Sequence, residues 1–192
     1  MISKTQVAAA AALILSIVSW QSGTASQSSN TGKEEFTAFA VNMAPMTQTT
    51  TAPVDITIER WTSDADRDRL ITILKEKGPD ELLKALQKEP KVGSIRTRSS
   101  LGYDLHYARQ QPGEDGGRRI VLGTDRPIST LEAENGGQTL NYRFTLIELH
   151  LGPDGKGEGK MSVAVRPEFN DHMLVIEDYA SEPVALHDVQ KR

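Results

Sequence analysis

Residues 144–166, FTLIELHLGPDGKGEGKMSVAVR, contain two alternating stretches separated by a segment rich in glycine. In both stretches apolar residues occupy every second position, at 147, 149 and 151 and again at 161, 163 and 165. Successive side chains of a strand point to opposite faces, so each stretch predicts a strand with one buried face. The glycines and Pro153 between the stretches favour a turn, and the segment therefore predicts a long antiparallel hairpin.

The flanking sequence extends this pattern in both directions. Alternation also predicts strands near residues 54–58, 93–97, 103–109, 119–124, 142–151, 160–166, 173–178 and 184–187. Between the first two of these lie two helical patterns, separated by Gly78 and Pro79. The order predicts an α+β fold: a largely antiparallel sheet of about six to eight strands, with an αα-hairpin inserted after the first main strand.

The first helical pattern begins with three aspartates, Asp64, Asp66 and Asp68. This spacing could open a calcium-binding loop, but such a loop needs glycine at its sixth position and glutamate at its twelfth. Arg69 and Lys75 stand at those positions. Ser63 followed by acidic residues in the first turn is typical of a helix N-terminus, which is what we predict here.

The N-terminal segment has the features of an export signal. Lys4 precedes an apolar run over residues 7–18, and small residues lead to Ala25. We therefore predict a signal peptide over residues 1–25, a flexible spacer over 26–53 with a strand at 36–43, and a single α+β domain over 54–192. The predicted location is secreted or periplasmic; an uncleaved N-terminal anchor is the alternative, and no other segment is long enough to span a bilayer.

Composition excludes several functional classes. The chain has 192 residues, no cysteine and a formal net charge of −4. The absence of thiols excludes thiol catalysis and zinc–thiolate or iron–sulfur sites. The acidic balance argues against a nucleic-acid partner, which would favour a basic face. No dinucleotide or phosphate-loop frame occurs, because the lysine of GKGEGK is followed by Met161, so no cofactor is predicted.

Two short stretches could carry chemistry. In YDLHYAR, Asp104 and His106 lie two residues apart on a predicted strand, opposite residues 103, 105 and 107; in LIELHL, Glu148 and His150 lie likewise. If the two strands were neighbours, these four side chains could hold a divalent metal or provide a general base. The simpler interpretation is a solvated face of an alternating sheet.

Five arginines, at positions 96, 98, 118, 119 and 126, fall on neighbouring predicted strands or their ends. They could form an anion-binding patch, because guanidinium groups suit carboxylate and phosphate. The alternative is pairing with acidic residues across strands, Asp125 among them, and we favour this interpretation.

The blocks ERWTSDADRDRL, KGPDELLKALQK, GSIRT, GYDLHYAR, GGRRIVLGTDRPI, FTLIEL and GKGEGK occur in this order from residue 59 onward. In order and spacing the chain resembles a group of small uncharacterised secreted bacterial proteins, from about Val54 to its C-terminus. The resemblance implies an exported bacterial protein with one compact domain, and it implies no activity, cofactor or site residue.

Taken together, these features predict an exported, non-catalytic binding or interaction domain. Its partner would be a protein, an envelope component or a small ligand. The alternative is a metal-assisted hydrolase that uses Asp104, His106, Glu148 and His150.

Overall fold

The computed structural model of the chain describes residues 32–42, 50–97, 102–113, 116–128, 143–170, 173–178 and 183–192. The predicted signal peptide and the first part of the spacer, to residue 31, lie outside the described residues. So do His172, Arg98 and Tyr142, the first residue of the strand predicted at 142–151.

The described residues form ten strands and two helices. In chain order these are β1 (Glu34–Asn42), β2 (Thr50–Ile58), α1 (Asp64–Lys77), α2 (Pro79–Leu86), β3 (Gly93–Thr97), β4 (Tyr103–Leu105), β5 (Tyr107–Pro112), β6 (Arg118–Thr124), β7 (Phe144–Leu151), β8 (Lys156–Asn170), β9 (Met173–Asp178) and β10 (Val184–Lys191). The α+β class and the antiparallel sheet are confirmed, but the predicted count of strands is too low. The strand predicted at 103–109 is divided at His106, and β1 and β10 are full members of the sheet.

All ten strands belong to one antiparallel sheet with the order β4-β3-β2-β1-β10-β8-β7-β6-β5, and β9 pairs with β8 alone. The two end strands, β4 and β5, are consecutive in the sequence, and only His106 separates them. The sheet therefore curls until its two ends meet, which makes it nearly barrel-shaped. The backbone N–H of Thr62 donates a hydrogen bond to the carbonyl oxygen of Ala108 in β5, and that of Val92 donates to Leu105 in β4, so the segments on either side of the helices contact both end strands.

The inner face of the curled sheet carries the main core. Side chains that alternate along the strands meet there and are fully buried, among them Ile56, Ile120, Ile147, Leu149 and Leu186. Burying one such side chain contributes about 1.5–3 kcal/mol, so this core supplies most of the stabilisation of the fold.

The outer face carries a second, smaller core under the helical hairpin. Leu70, Leu83 and Leu86 of the helices pack against Phe144 and Val165 of the sheet, and the partly buried Tyr107 and Leu146 border this cluster. We call this contact the helix seat. It covers outward-facing residues of β5, β7 and β8.

Two irregularities in the sheet place residues in the helix seat, and both contradict the predicted alternation. Tyr107 was expected on the same face as Tyr103 and Leu105, but the corner at His106 turns it outward, and Ala108 takes the inward position instead. Val165 was expected to face inward with Met161 and Val163. A register shift between β7 and β8, next to Phe144, moves it to the outer face.

The predicted helix ends are confirmed. Ser63 caps α1, since its side chain accepts a hydrogen bond from the Asp66 backbone N–H at 3.1 Å. Gly78, with φ of 81°, ends α1 and allows Pro79 to begin α2 at once. The three aspartates thus lie at a helix start, as the sequence predicts.

The predicted hairpin between β7 and β8 is also confirmed. Two of its glycines, Gly157 and Gly159, allow the two backbones to approach closely: a Cβ at Gly157 would lie 1.8 Å from the carbonyl oxygen of His150, and one at Gly159 would lie 2.5 Å from that of Glu148. Both positions therefore require glycine.

The sheet begins before the predicted domain boundary at residue 54. Strand β1 lies between β2 and β10, and its Phe36 is buried in the main core. Residues 50–53 were expected to belong to the flexible spacer, but β2 already starts at Thr50. Among the described helices, none has the length and apolar character needed to cross a membrane.

Candidate functional site

The structure places Asp104 and His106 at the corner between β4 and β5. Asp104 forms an ion pair with Lys91 at 2.8 Å, and the hydrogen bond from Lys91 is the largest cause of a lowered pKa of Asp104. His106 is largely buried; its Nδ1 lies 2.9 Å from the carbonyl oxygen of Glu89, and its Nε2 lies 3.9 Å from Asp125. Because a carbonyl only accepts, Nδ1 carries the proton, and the ring ties this corner to the end of the helical hairpin.

Glu148 and His150 lie on the outer face of β7, in a different set of contacts. Oε1 of Glu148 lies 2.5 Å from Nε of Arg119 and 2.7 Å from Nε2 of His150, while Oε2 lies 3.4 Å from Nζ of Lys160. Burial alone would raise the pKa of Glu148, but the hydrogen bond and charge of Arg119, together with Lys160 and His150, outweigh it, and the pKa is lowered. Glu148 is therefore a carboxylate with its acceptor sites in use.

The four residues do not come together as one cluster. Strand β6 lies between β5 and β7, and β4 pairs with β3, so the strands that carry the two His–acid pairs are not neighbours. Within the described residues, no group of three histidine or acidic side chains is gathered for metal binding.

A third charged group occurs at one rim of the curled sheet, and the sequence analysis missed it. Glu34 of β1 is 2% exposed and receives two hydrogen bonds from Arg118 of β6, at 3.1 and 2.6 Å. Arg118 also contacts the side chain of Gln110 at 3.0 Å, and Lys191 lies 3.4 Å from Glu34. We call these four residues the charged rim.

The charged rim joins strands that are not adjacent in the sheet, so its contacts cross the interior. Burial alone would raise the pKa of Glu34, but hydrogen bonding and charge from Arg118, with the charge of Lys191, lower it. Extending the alternation of Phe36 and Ala38 back by one step would have placed Glu34 on the inner face. Its partner could not have been identified from the sequence, because Arg118 is distant in the chain.

The arginines take separate partners. Arg118 belongs to the charged rim, Arg119 pairs with Glu148, and Arg126 lies over the ring of Tyr103 at 5.4 Å. This favours the pairing interpretation over a shared anion-binding patch for Arg118 and Arg119.

The outer face of β1 presents a further feature that the sequence analysis did not single out. Phe39 is 46% exposed, and it is the one large hydrophobic side chain with this exposure among the described residues. It lies between Pro53 of β2 and His187 of β10, and Val41 follows on the same face. Alternation with the buried Ala38 and Ala40 would have indicated its outward position.

Comparison with known proteins finds no match: no protein-family model, no curated protein and no solved structure is similar to this chain. The resemblance to small secreted bacterial proteins thus stays a prediction.

Proposed function

We propose that this protein is an exported, non-catalytic binding domain that recognises a protein of the cell envelope through the outer face of β1. The observation that carries the proposal is the exposed Phe39 between Pro53 and His187. A large aromatic side chain exposed on a protein surface is a typical anchor of protein interfaces.

The charged groups support a binding role over a catalytic one. Glu148, Asp104 and Glu34 each already pair with a cation. A carboxylate that acts as a general base must be free to take a proton, and these three carboxylates are already paired with cations. The hydrolase alternative gains no support from the geometry, because its four residues lie in two separate groups.

The experiment is site-specific photo-crosslinking in the native envelope. A photoreactive residue at position 39 should give a defined protein adduct, and the same residue at Lys84, which is exposed on α2, should not. A Phe39→Ser variant, expected to fold normally because the side chain is at the surface, should no longer retain the partner that the adduct identifies. Equal adducts from both positions, or none, would refute the proposal.

Export is a separate part of this proposal and has its own measurement. The apolar run over residues 7–18 and the small residues before Ser26 support cleavage after Ala25. Mass spectrometry of the native N-terminus should detect a chain that begins at Ser26. A native chain that retains residues 1–25 would favour the anchored alternative.

A further inference from the structure

Three strands on the outer face align two histidines on either side of a glutamate. His150 of β7 is the register partner of Glu158 of β8. On the other side of β8, Nδ1 of His187 of β10 lies 3.8 Å from Oε1 of Glu158. The strand register thus supplies His150 with neighbours from β8 and β10, in place of the Asp104 and His106 that the sequence suggested.

An irregularity in β10 adds a fourth side chain to this row. Strand β10 shifts register against β8 between Leu186 and Val189, so both His187 and Asp188 lie opposite Glu158. Asp188 has a φ of 52°, the only positive φ of a non-glycine residue in the described chain. Such a conformation costs free energy in an L-residue. It occurs where two exposed residues, His187 and Asp188, lie between the buried Leu186 and Val189.

The contact with Glu148 determines which ring nitrogen of His150 carries the proton. The carboxylate of Glu148 lies 2.7 Å from Nε2 of His150 and, like any ionised carboxylate, can only accept a hydrogen bond. The proton in this contact is therefore on Nε2, which leaves the lone pair on Nδ1 available. Histidines that bind metals are commonly fixed by a carboxylate in this way.

We infer that His150, Glu158 and His187 bind a divalent transition-metal ion such as Zn²⁺ on the outer face of the sheet, with Asp188 as a further oxygen ligand. Two imidazole nitrogens with carboxylate oxygens are a donor set that zinc accepts. The side chains stand apart in this structure, and no described group of three is gathered around a common point. Binding therefore requires Glu158 and His187, which are 78% and 49% exposed, to rotate towards His150, which is 61% exposed and stays hydrogen-bonded to Glu148.

The test is a Zn²⁺ titration of the purified protein at pH 7.5 in competition with a chromogenic chelator. One Zn²⁺ per chain is expected, and His150→Gln and His187→Gln should each weaken binding by about tenfold or more. His106→Gln is the matched control, because it removes a histidine at the β4–β5 corner; its affinity for Zn²⁺ should equal that of the wild type. Circular dichroism checks that each variant is folded.

Binding should also weaken at about pH 5, because ligating histidines must be deprotonated. Three results would overturn the inference: no Zn²⁺ binding by the wild type, unchanged binding by the His150→Gln/His187→Gln double variant, or an equal loss in His106→Gln. Because the assay contains no other protein, its outcome is independent of the proposed envelope partner.

Discussion

The inner and outer faces of the sheet are built by different rules. On the inner face, regular alternation brings apolar side chains from neighbouring strands together, and the charged rim closes one end. On the outer face, the helix seat depends on the exceptions, the corner at His106 and the register shift beside Val165. The comparison shows that a repeated pattern can fill the interior, whereas a docking surface for a helical hairpin needs local breaks in that pattern.

The largest contrast is expected between an inward glycine and one at the helix joint. Gly157→Ala should destabilise the protein by about 3 kcal/mol or more, because the new methyl group would overlap the His150 carbonyl and separate two strands. Gly78→Ala should cost only about 1–3 kcal/mol, since nothing lies within 4 Å of the new methyl group and the cost is that of an extended backbone with positive φ (φ 81°, ψ −179°). Urea unfolding measures both free energies. Equal losses would mean that the two backbones do not approach as described.

Truncation of leucines compares the two cores directly. Leu149→Ala in the main core should cost about 3–4 kcal/mol, and Leu83→Ala in the helix seat about 2–3 kcal/mol. The inner cavity cannot collapse within a closed sheet, whereas a surface hairpin can shift to fill part of the space. A larger loss for Leu83→Ala, measured in the same unfolding assay, would reverse the ranking of the two cores.

Removing one carboxylate from each face of the sheet compares how much charged groups stabilise the two faces. Glu34→Gln removes one charge from the buried charged rim and leaves Arg118 and Lys191 facing each other, which should cost about 2–3 kcal/mol. Glu148→Gln on the outer face should cost about 1 kcal/mol, because the side chain of Glu148 is 13% exposed to solvent whereas that of Glu34 is 2% exposed. If both variants lost the same free energy, the inner position of Glu34 would have no energetic consequence.

The dependence of stability on pH should also distinguish Glu34 from Glu148, with a smaller change in the free energy of unfolding. The pKa values of Glu34 and Glu148 are lowered in the folded protein, so each contributes stability that is present above the unfolded-state value of about 4.3 and is lost as the pH falls through the folded value. The wild type should therefore lose stability below about pH 5, by at most about 1.4 kcal/mol per pH unit for each carboxylate.

Unfolding midpoints of the two glutamine variants between pH 3 and 7 check this expectation. Glu34→Gln should flatten the acid side of the profile more than Glu148→Gln does. A profile that keeps the wild-type slope in Glu34→Gln would show that this carboxylate does not titrate in linkage with folding.

The candidate site could be predicted only in part. The sequence placed Glu148 and His150 on one outward face, and the structure has them in contact. The sequence could not show which residues lie next to this pair on the neighbouring strands. The register of β8 and β10 places Glu158 and His187 beside His150, whereas Asp104 and His106 lie on strands that are not adjacent to β7. The charged rim was missed for the same reason, since Glu34 and Arg118 meet only when the sheet curls.

The sequence by itself determined the local elements of this protein. Alternation, glycine turns and the Ser63 cap act over a few residues, and they predicted the αα-hairpin, the β7–β8 hairpin and the antiparallel sheet. Only the tertiary structure decided that the sheet curls, that His106 forms its corner, and that Tyr107 and Val165 turn outward beneath the helices. The physical reason is that closure and docking depend on contacts between residues far apart in the chain, which periodicity over a few residues cannot specify.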